Sequence, residues 1–127
     1  MPVQSVKELK VYQKAFALAM RIYQVSKEFP LEERFAPTSQ MRRSSRSVCL
    51  NPREAWAKRR YEAHFVSKLT DCDGESNETD TSLDFALKCG FLDERTHHEL
   101  VSANDEVRRM LGSMIENPGP FLHSRDV

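Results

Sequence analysis

Apolar residues recur with helical spacing in four blocks of this chain, separated by short breaks. The first block runs from about Val6 to Phe29 and stops before Pro30. It carries two adjacent apolar stripes: Leu9, Tyr12, Phe16, Ala19 and Tyr23 on one, and Val11, Leu18, Ile22, Val25 and Phe29 on the next. Together they cover more of the helix than a bundle core requires, so the surplus should be buried against a second subunit. Val11, Leu18, Ile22 and Val25, with Phe85 from the third block, are the expected oligomer interface.

The second block, about 37–60, opens on Pro37, whose missing N–H suits a first helical turn. Met41, Val48 and Ala55 mark its core side at intervals of seven, and Pro52 inside the pattern is expected to kink the helix or shift its register. The third block, about 61–89, shows the stripe Phe65, Leu69, Cys72, Ser76, Thr79, Leu83 and Leu87, and Gly90 is placed to end it. The fourth, about 94–116, has Asp93 as N-cap and Leu100, Val107, Leu111 and Met114 facing inward. Asn117-Pro118-Gly119-Pro120 breaks it, leaving 117–127 as a flexible tail. Short connections favour antiparallel neighbours. The expected fold is therefore all-α, one domain over 1–116, an up-down-up-down four-helix bundle.

Composition agrees. Four glycines among 127 residues argue against tight-turned β architecture. No apolar run approaches the ~20 residues of a membrane span, and Met1 to Lys10 lacks the apolar centre of a signal peptide. Cys49, Cys72 and Cys89 are odd in number and widely spaced, which fits reduced thiols in the cytoplasm better than a disulfide framework.

The zero net charge conceals an asymmetry. Pro37 to Arg60 holds seven basic residues and one acidic; Tyr61 to Leu92 holds two basic and seven acidic. On a helical wheel Arg42, Arg46, Arg53 and Arg60 fall in one sector, away from Met41, Val48 and Ala55. With Arg43, Lys58 and Arg59 they form the candidate nucleic-acid-binding set, able to follow a phosphate backbone. A solvated face paired with the acidic third helix accounts for the same charges.

Signals of chemistry fall away on inspection. A calcium loop starting at Asp71 needs glycine sixth and glutamate twelfth, but Gly74 is fourth and Ser82 twelfth. His97 and His98 are adjacent and point apart on a helix, and His64 lies in another block, so no metal is expected. No nucleophile stands in a local catalytic motif, and Asn77-Glu78-Thr79 lies on a helix bordering the core. The chain is expected not to be an enzyme and to carry no cofactor.

A family pattern is visible in particular runs. These are Leu9-Lys10-Val11-Tyr12-Gln13-Lys14-Ala15, Ile22-Tyr23, Phe29-Pro30, Glu32-Glu33-Arg34-Phe35 and Thr38-Ser39-Gln40-Met41-Arg42-Arg43. Ser47-Val48, Asn51, Glu54, Asn77-Glu78, Thr81, Leu83 and Gly90-Phe91-Leu92 continue it. From Leu9 to Ile115 the chain resembles the bacterial four-helix-bundle proteins first noticed in intervening sequences of 23S ribosomal RNA genes. The resemblance implies a left-handed bundle assembled into a homopentameric ring. Relatives include the accessory protein of diversity-generating retroelements, which partners a reverse transcriptase and binds nucleic acid through a basic surface. It thus implies a non-enzymatic oligomer that binds structured RNA or DNA through helix two; a scaffold for a protein partner is the alternative. Cys49 and Pro52 depart from the pattern, which has proline and an aliphatic residue there.

Overall fold

A computed structural model describes residues 5–31 and 37–123; the Glu32 to Phe35 run and the last four residues lie outside it. Four helices form: α1 (Lys10–Ser26), α2 (Pro37–Ala57), α3 (Glu62–Lys88) and α4 (Glu94–Glu116). Each packs on its neighbours in sequence, and α4 packs on α1 to close the bundle. The contacts run antiparallel. Along α2 and α3, Arg43 meets Glu78, Ser44 meets Thr79, Val48 meets Cys72 and Glu54 meets Lys68.

The ends of the helices follow from local chemistry. α1 is shorter than the apolar pattern suggests. A single 3-10 turn at Val6–Glu8 precedes it, because Leu9 is extended and turned into the core. After Ser26 the N–H groups of Lys27, Glu28 and Phe29 reach back three residues, not four, tightening the chain ahead of Pro30. α2 ends at Ala57 and not Arg60, since Arg59 and Tyr61 likewise donate three residues back. α3 closes in a Schellman motif. Gly90, at φ 81°, lets Phe91 N–H reach the Ala86 carbonyl at 2.8 Å while its own N–H donates to Leu87 at 3.0 Å. α4 starts where Asp93 accepts the Thr96 N–H at 2.7 Å.

The buried positions of α3 are Phe65, Leu69, Cys72, Ser76, Thr79, Leu83 and Ala86, in strict four-three alternation. The last turn therefore buries Ala86 and leaves Leu87 half-exposed, against the expectation from sequence. α4 keeps the same rhythm with Leu100, Asn104, Val107, Leu111 and Met114. A repeat of 3.5 residues is slightly shorter than the helical turn, so the helices wind around one another left-handed.

Two apolar clusters fill the interior. One, near the chain ends and the α2–α3 turn, gathers Val11, Ala15, Val48, Phe65, Leu69, Val107 and Leu111; the other, toward the α3–α4 turn, gathers Leu18, Ile22, Met41, Leu83 and Leu100. Between them lies a fully buried polar layer. Ser76 Oγ donates to Asn104 Oδ1 and Asn104 Nδ2 donates to the Ser76 carbonyl, both at 2.9 Å, and Ser44 and Thr79 share a bond of 2.9 Å. Every hydroxyl and amide of this group has a partner, which is what makes it tolerable in an apolar interior.

Three expectations change. Val11, Leu18 and Ile22 are 3%, 4% and 0% exposed inside the chain's own core, so they are not available to a second subunit. Of that expected interface, Val25 is half-buried against the upper cluster and only Phe85, 63% exposed, stands open. The stripe of α1 that faces outward is the other one. The tail is docked at its start: Phe121 stacks on Phe65 at 6.3 Å between centroids, and His123 N–H donates to the Arg59 carbonyl at 3.3 Å. Of the two effects expected of Pro52, the shift of register does not occur: α2 continues through it, and Met41, Val48 and Ala55 are all buried. A proline deprives the carbonyl four residues earlier of its helical donor. Here that carbonyl belongs to Val48, and the buried Cys72 thiol donates to it at 3.2 Å. Burial pushes the Cys72 thiol well above its usual range, which keeps the proton needed for that bond in place.

Candidate nucleic-acid interface

Charge is divided between the two halves of the bundle. α1 has three cations and no carboxylate, and α2 has four cations and one carboxylate; α3 has two against seven, and α4 three against five. Ion pairs consequently form where a cationic helix meets an anionic one. Lys14 and Arg21 of α1 pair with Glu106 and Glu99 of α4. Arg43 of α2 contacts Glu78 at 2.6 Å and Glu75 at 3.3 Å on α3, and Glu54 meets Lys68 at 2.8 Å. Arg43 holds the Glu78 carboxyl below its usual range, while burial beside Glu78 pushes Glu75 up. Among the described residues no ion pair joins α1 to α2. Both helices are positive, and neither can neutralise the other.

The seven candidate basic residues therefore separate by neighbour. Arg42 is a strut: its Nε donates to the buried Ser26 Oγ at 2.7 Å and its guanidinium covers the Tyr23 ring at 4.9 Å. Arg43 is engaged by α3. Arg59 stacks on Trp56 at 3.8 Å and donates to the Trp56 carbonyl at 2.8 Å. Lys58 and Arg60 are exposed but lie in the turn beyond α2, so Arg60 does not extend the stripe. Arg46 and Arg53 are exposed on α2 itself and face the α1 side. The stripe expected from the wheel is thus reduced to this pair.

These two arginines border a groove of about 490 Å³ between α1 and α2. Its floor includes Tyr12, Phe16 and Met20 of α1 and Leu50 of α2, and among the described residues no acidic side chain lines it. Phe16, Met20 and Leu50 are 51%, 46% and 56% exposed. Periodicity identified Tyr12 and Phe16 as apolar positions but not as a groove wall. Met20 and Leu50 lie outside both stripes and were missed. The signal that points to them is charge: two adjacent like-charged helices leave a seam without ion pairs, and exposed apolar residues there have no structural duty.

Cys49 also lines this groove, but it is buried and its thiol is pushed up to about 11 by desolvation, so it is a poor nucleophile. His97 bonds Asp84 at 2.8 Å, and among the described residues no group of three or more His, Cys, Asp or Glu side chains could hold a metal. No described helix is long and apolar enough to cross a membrane.

The fold defines a heptad-packed, left-handed antiparallel four-helix bundle with one cationic and one anionic half. Residues 7–113 match the family described as 23S rRNA-intervening sequence protein. The chain belongs to that family. Among solved structures it is similar to a protein of unknown function from the S23 ribosomal protein family of Bacteroides thetaiotaomicron VPI-5482. The TM-score is 0.77 and the identity 27%, covering 84% of this chain and 96% of that one. A search of curated proteins finds no match.

Proposed function

We propose that this protein is a non-enzymatic, cytoplasmic nucleic-acid-binding bundle that works as a homo-oligomer, with RNA or DNA held on its α1–α2 side. The observation that carries the reading is the pair Arg46 and Arg53, exposed on a cationic half of the molecule and free of carboxylate partners among the described residues. Guanidinium groups in that state are open to phosphate, and neutralising each phosphate releases condensed counterions. The family's association with ribosomal RNA genes points the same way.

A mobility-shift titration with structured RNA across a salt series tests it. Wild type should bind at low salt and weaken as salt rises. Changing Arg46 and Arg53 to Ser should reduce the slope of log affinity against log salt by roughly two, at ~0.9 per phosphate contact, with a similar loss for every sequence. Absence of binding at low salt overturns the reading, as does a double variant that binds like wild type.

Charge polarity favours a second reading, a protein-interaction scaffold. An anionic half can dock on the cationic half of a neighbouring copy, with Phe85 as apolar contact. It stands within a groove of about 640 Å³ that also includes Phe29, Met41 and Glu78. A ring of five follows the family resemblance. Light scattering that returns the monomer mass of 14.7 kDa at micromolar concentration removes the assembly from both readings.

A further inference from the structure

We propose that the α1–α2 groove takes unstacked bases of single-stranded nucleic acid, with Phe16 as the stacking platform and Arg46 and Arg53 as the phosphate contacts. The inference rests on the α1–α2 side being the nucleic-acid-binding side, and it names the form of ligand that side selects.

Three features of the groove lead there. Tyr12 and Phe16, whose ring centroids are 6.2 Å apart, supply aromatic surface, and Phe16 presents half of its area to solvent. Arg46 and Arg53 are seven residues apart on one helix, roughly 10 Å along its axis at 1.5 Å per residue. Leu50 lies between them, so the cations bracket the apolar floor. Among the described residues the floor also lacks carboxylates, whereas every other pairing of neighbouring helices carries them. An occupant should therefore bring flat apolar surface and negative charge together. A duplex presents phosphates but keeps its base faces stacked inside, so it would leave Phe16, Met20 and Leu50 uncovered. A single strand offers both at once: bases stack on aromatic rings without sequence preference, and the backbone follows the cations.

A second copy of the chain is the competing occupant, with the carboxylates of its α3 on Arg46 and Arg53. That contact would bury the same apolar residues, but it gives the aromatic ring at position 16 no role that another apolar residue could not fill.

The experiment uses the full chain and fluorescence anisotropy at low salt, with a labelled uridine 12-mer and a duplex RNA of equal length. The single strand should bind more tightly. Phe16→Leu should weaken the single strand about ten-fold, in line with the loss of one stacked base, and leave the duplex unchanged. Phe16→Trp should restore single-strand binding, and its indole fluorescence should be quenched when the oligonucleotide is added, relative to wild type carrying Trp56 alone. Position 16 is half exposed, so these variants should keep the wild-type circular dichroism. Equal weakening by Arg46→Ser and Arg53→Ser on both ligands, with Phe16→Leu silent on both, overturns the base-stacking inference and leaves the parent reading intact. Absence of any binding by wild type overturns both. A Phe16→Leu variant that binds the single strand normally but loses assembly in light scattering assigns the groove to a second copy and overturns the proposal.

Discussion

The two sides of α2 are built on opposite electrostatic terms. Toward α3, Arg43 is clasped by Glu75 and Glu78, and Glu54 by Lys68. Toward α1, Arg46 and Arg53 meet aromatic and aliphatic surface and, among the described residues, no carboxylate. The residue type is the same, and the difference lies in the charge of the facing helix. Paired arginines contribute to the fold, modestly, because exposed ion pairs are worth little. Unpaired ones on a cationic seam gain no such contribution, and they stand beside exposed aromatic surface with their guanidinium groups uncommitted.

The largest contrast is available on α1. Ile22→Asp puts a charge into a fully buried site and should unfold the chain, a cost of several kcal/mol, read as lost helical signal in circular dichroism. Phe16→Asp, the same chemistry six residues earlier, should stay within ~0.5 kcal/mol of wild type, because the side chain already stands half in solvent. Equal destabilisation by both would erase the distinction between the inner and outer stripes.

Cys72→Ala comes next. It strips the Val48 carbonyl of its donor in the middle of the α2–α3 seam and should cost about 1–3 kcal/mol in a urea titration. Cys72→Ser, which keeps an O–H, should cost less. If the alanine variant proves the milder of the two, the thiol is not serving the carbonyl that Pro52 leaves open.

A smaller effect separates the arginines. Arg43→Ala should lower stability by up to about 1 kcal/mol and leave nucleic-acid affinity nearly unchanged; Arg46→Ala should do the reverse. Acid provides the finest test. Glu78, held low by Arg43, stabilises the fold at neutral pH, and that contribution is lost as pH falls through its depressed folded value. Glu75, raised by burial, has the opposite sign: it opposes folding when charged and is relieved as pH falls. The stability gap between wild type and Arg43→Ala, measured by urea at pH 7 and near pH 3, should therefore narrow in acid.

Much of the fold was legible because heptad spacing survives in each block, and Asp93 and Gly90 announce helix ends by their own chemistry. The inner side of α1 was not. Val11 and Tyr12, or Ile22 and Tyr23, are ~100° apart on the wheel and all apolar, so periodicity cannot say which stripe the neighbouring helices cover. The basic set was legible as composition and only partly as a site. Arg42, Arg46 and Arg53 share a sector of the wheel, yet Arg42 is taken by Ser26 because it lies next to the end of α1. That depends on where the two helices meet, which no single-helix projection contains. The docking of Phe121 on Phe65 was hidden for the same reason.

The polar layer has a consequence for sliding. A core repeated every seven residues looks nearly the same after one helix moves by a heptad, so apolar packing alone defines alignment weakly. Asn104 removes that ambiguity. Moved by one repeat in either direction along α3, it would face Leu69 or Leu83 in place of Ser76, both fully buried. Its amide would then be stranded in apolar surroundings at about 1–3 kcal/mol. Asn104→Leu should accordingly leave a helical chain whose interior has more than one arrangement, visible as doubled or broadened methyl resonances where wild type shows single sharp ones.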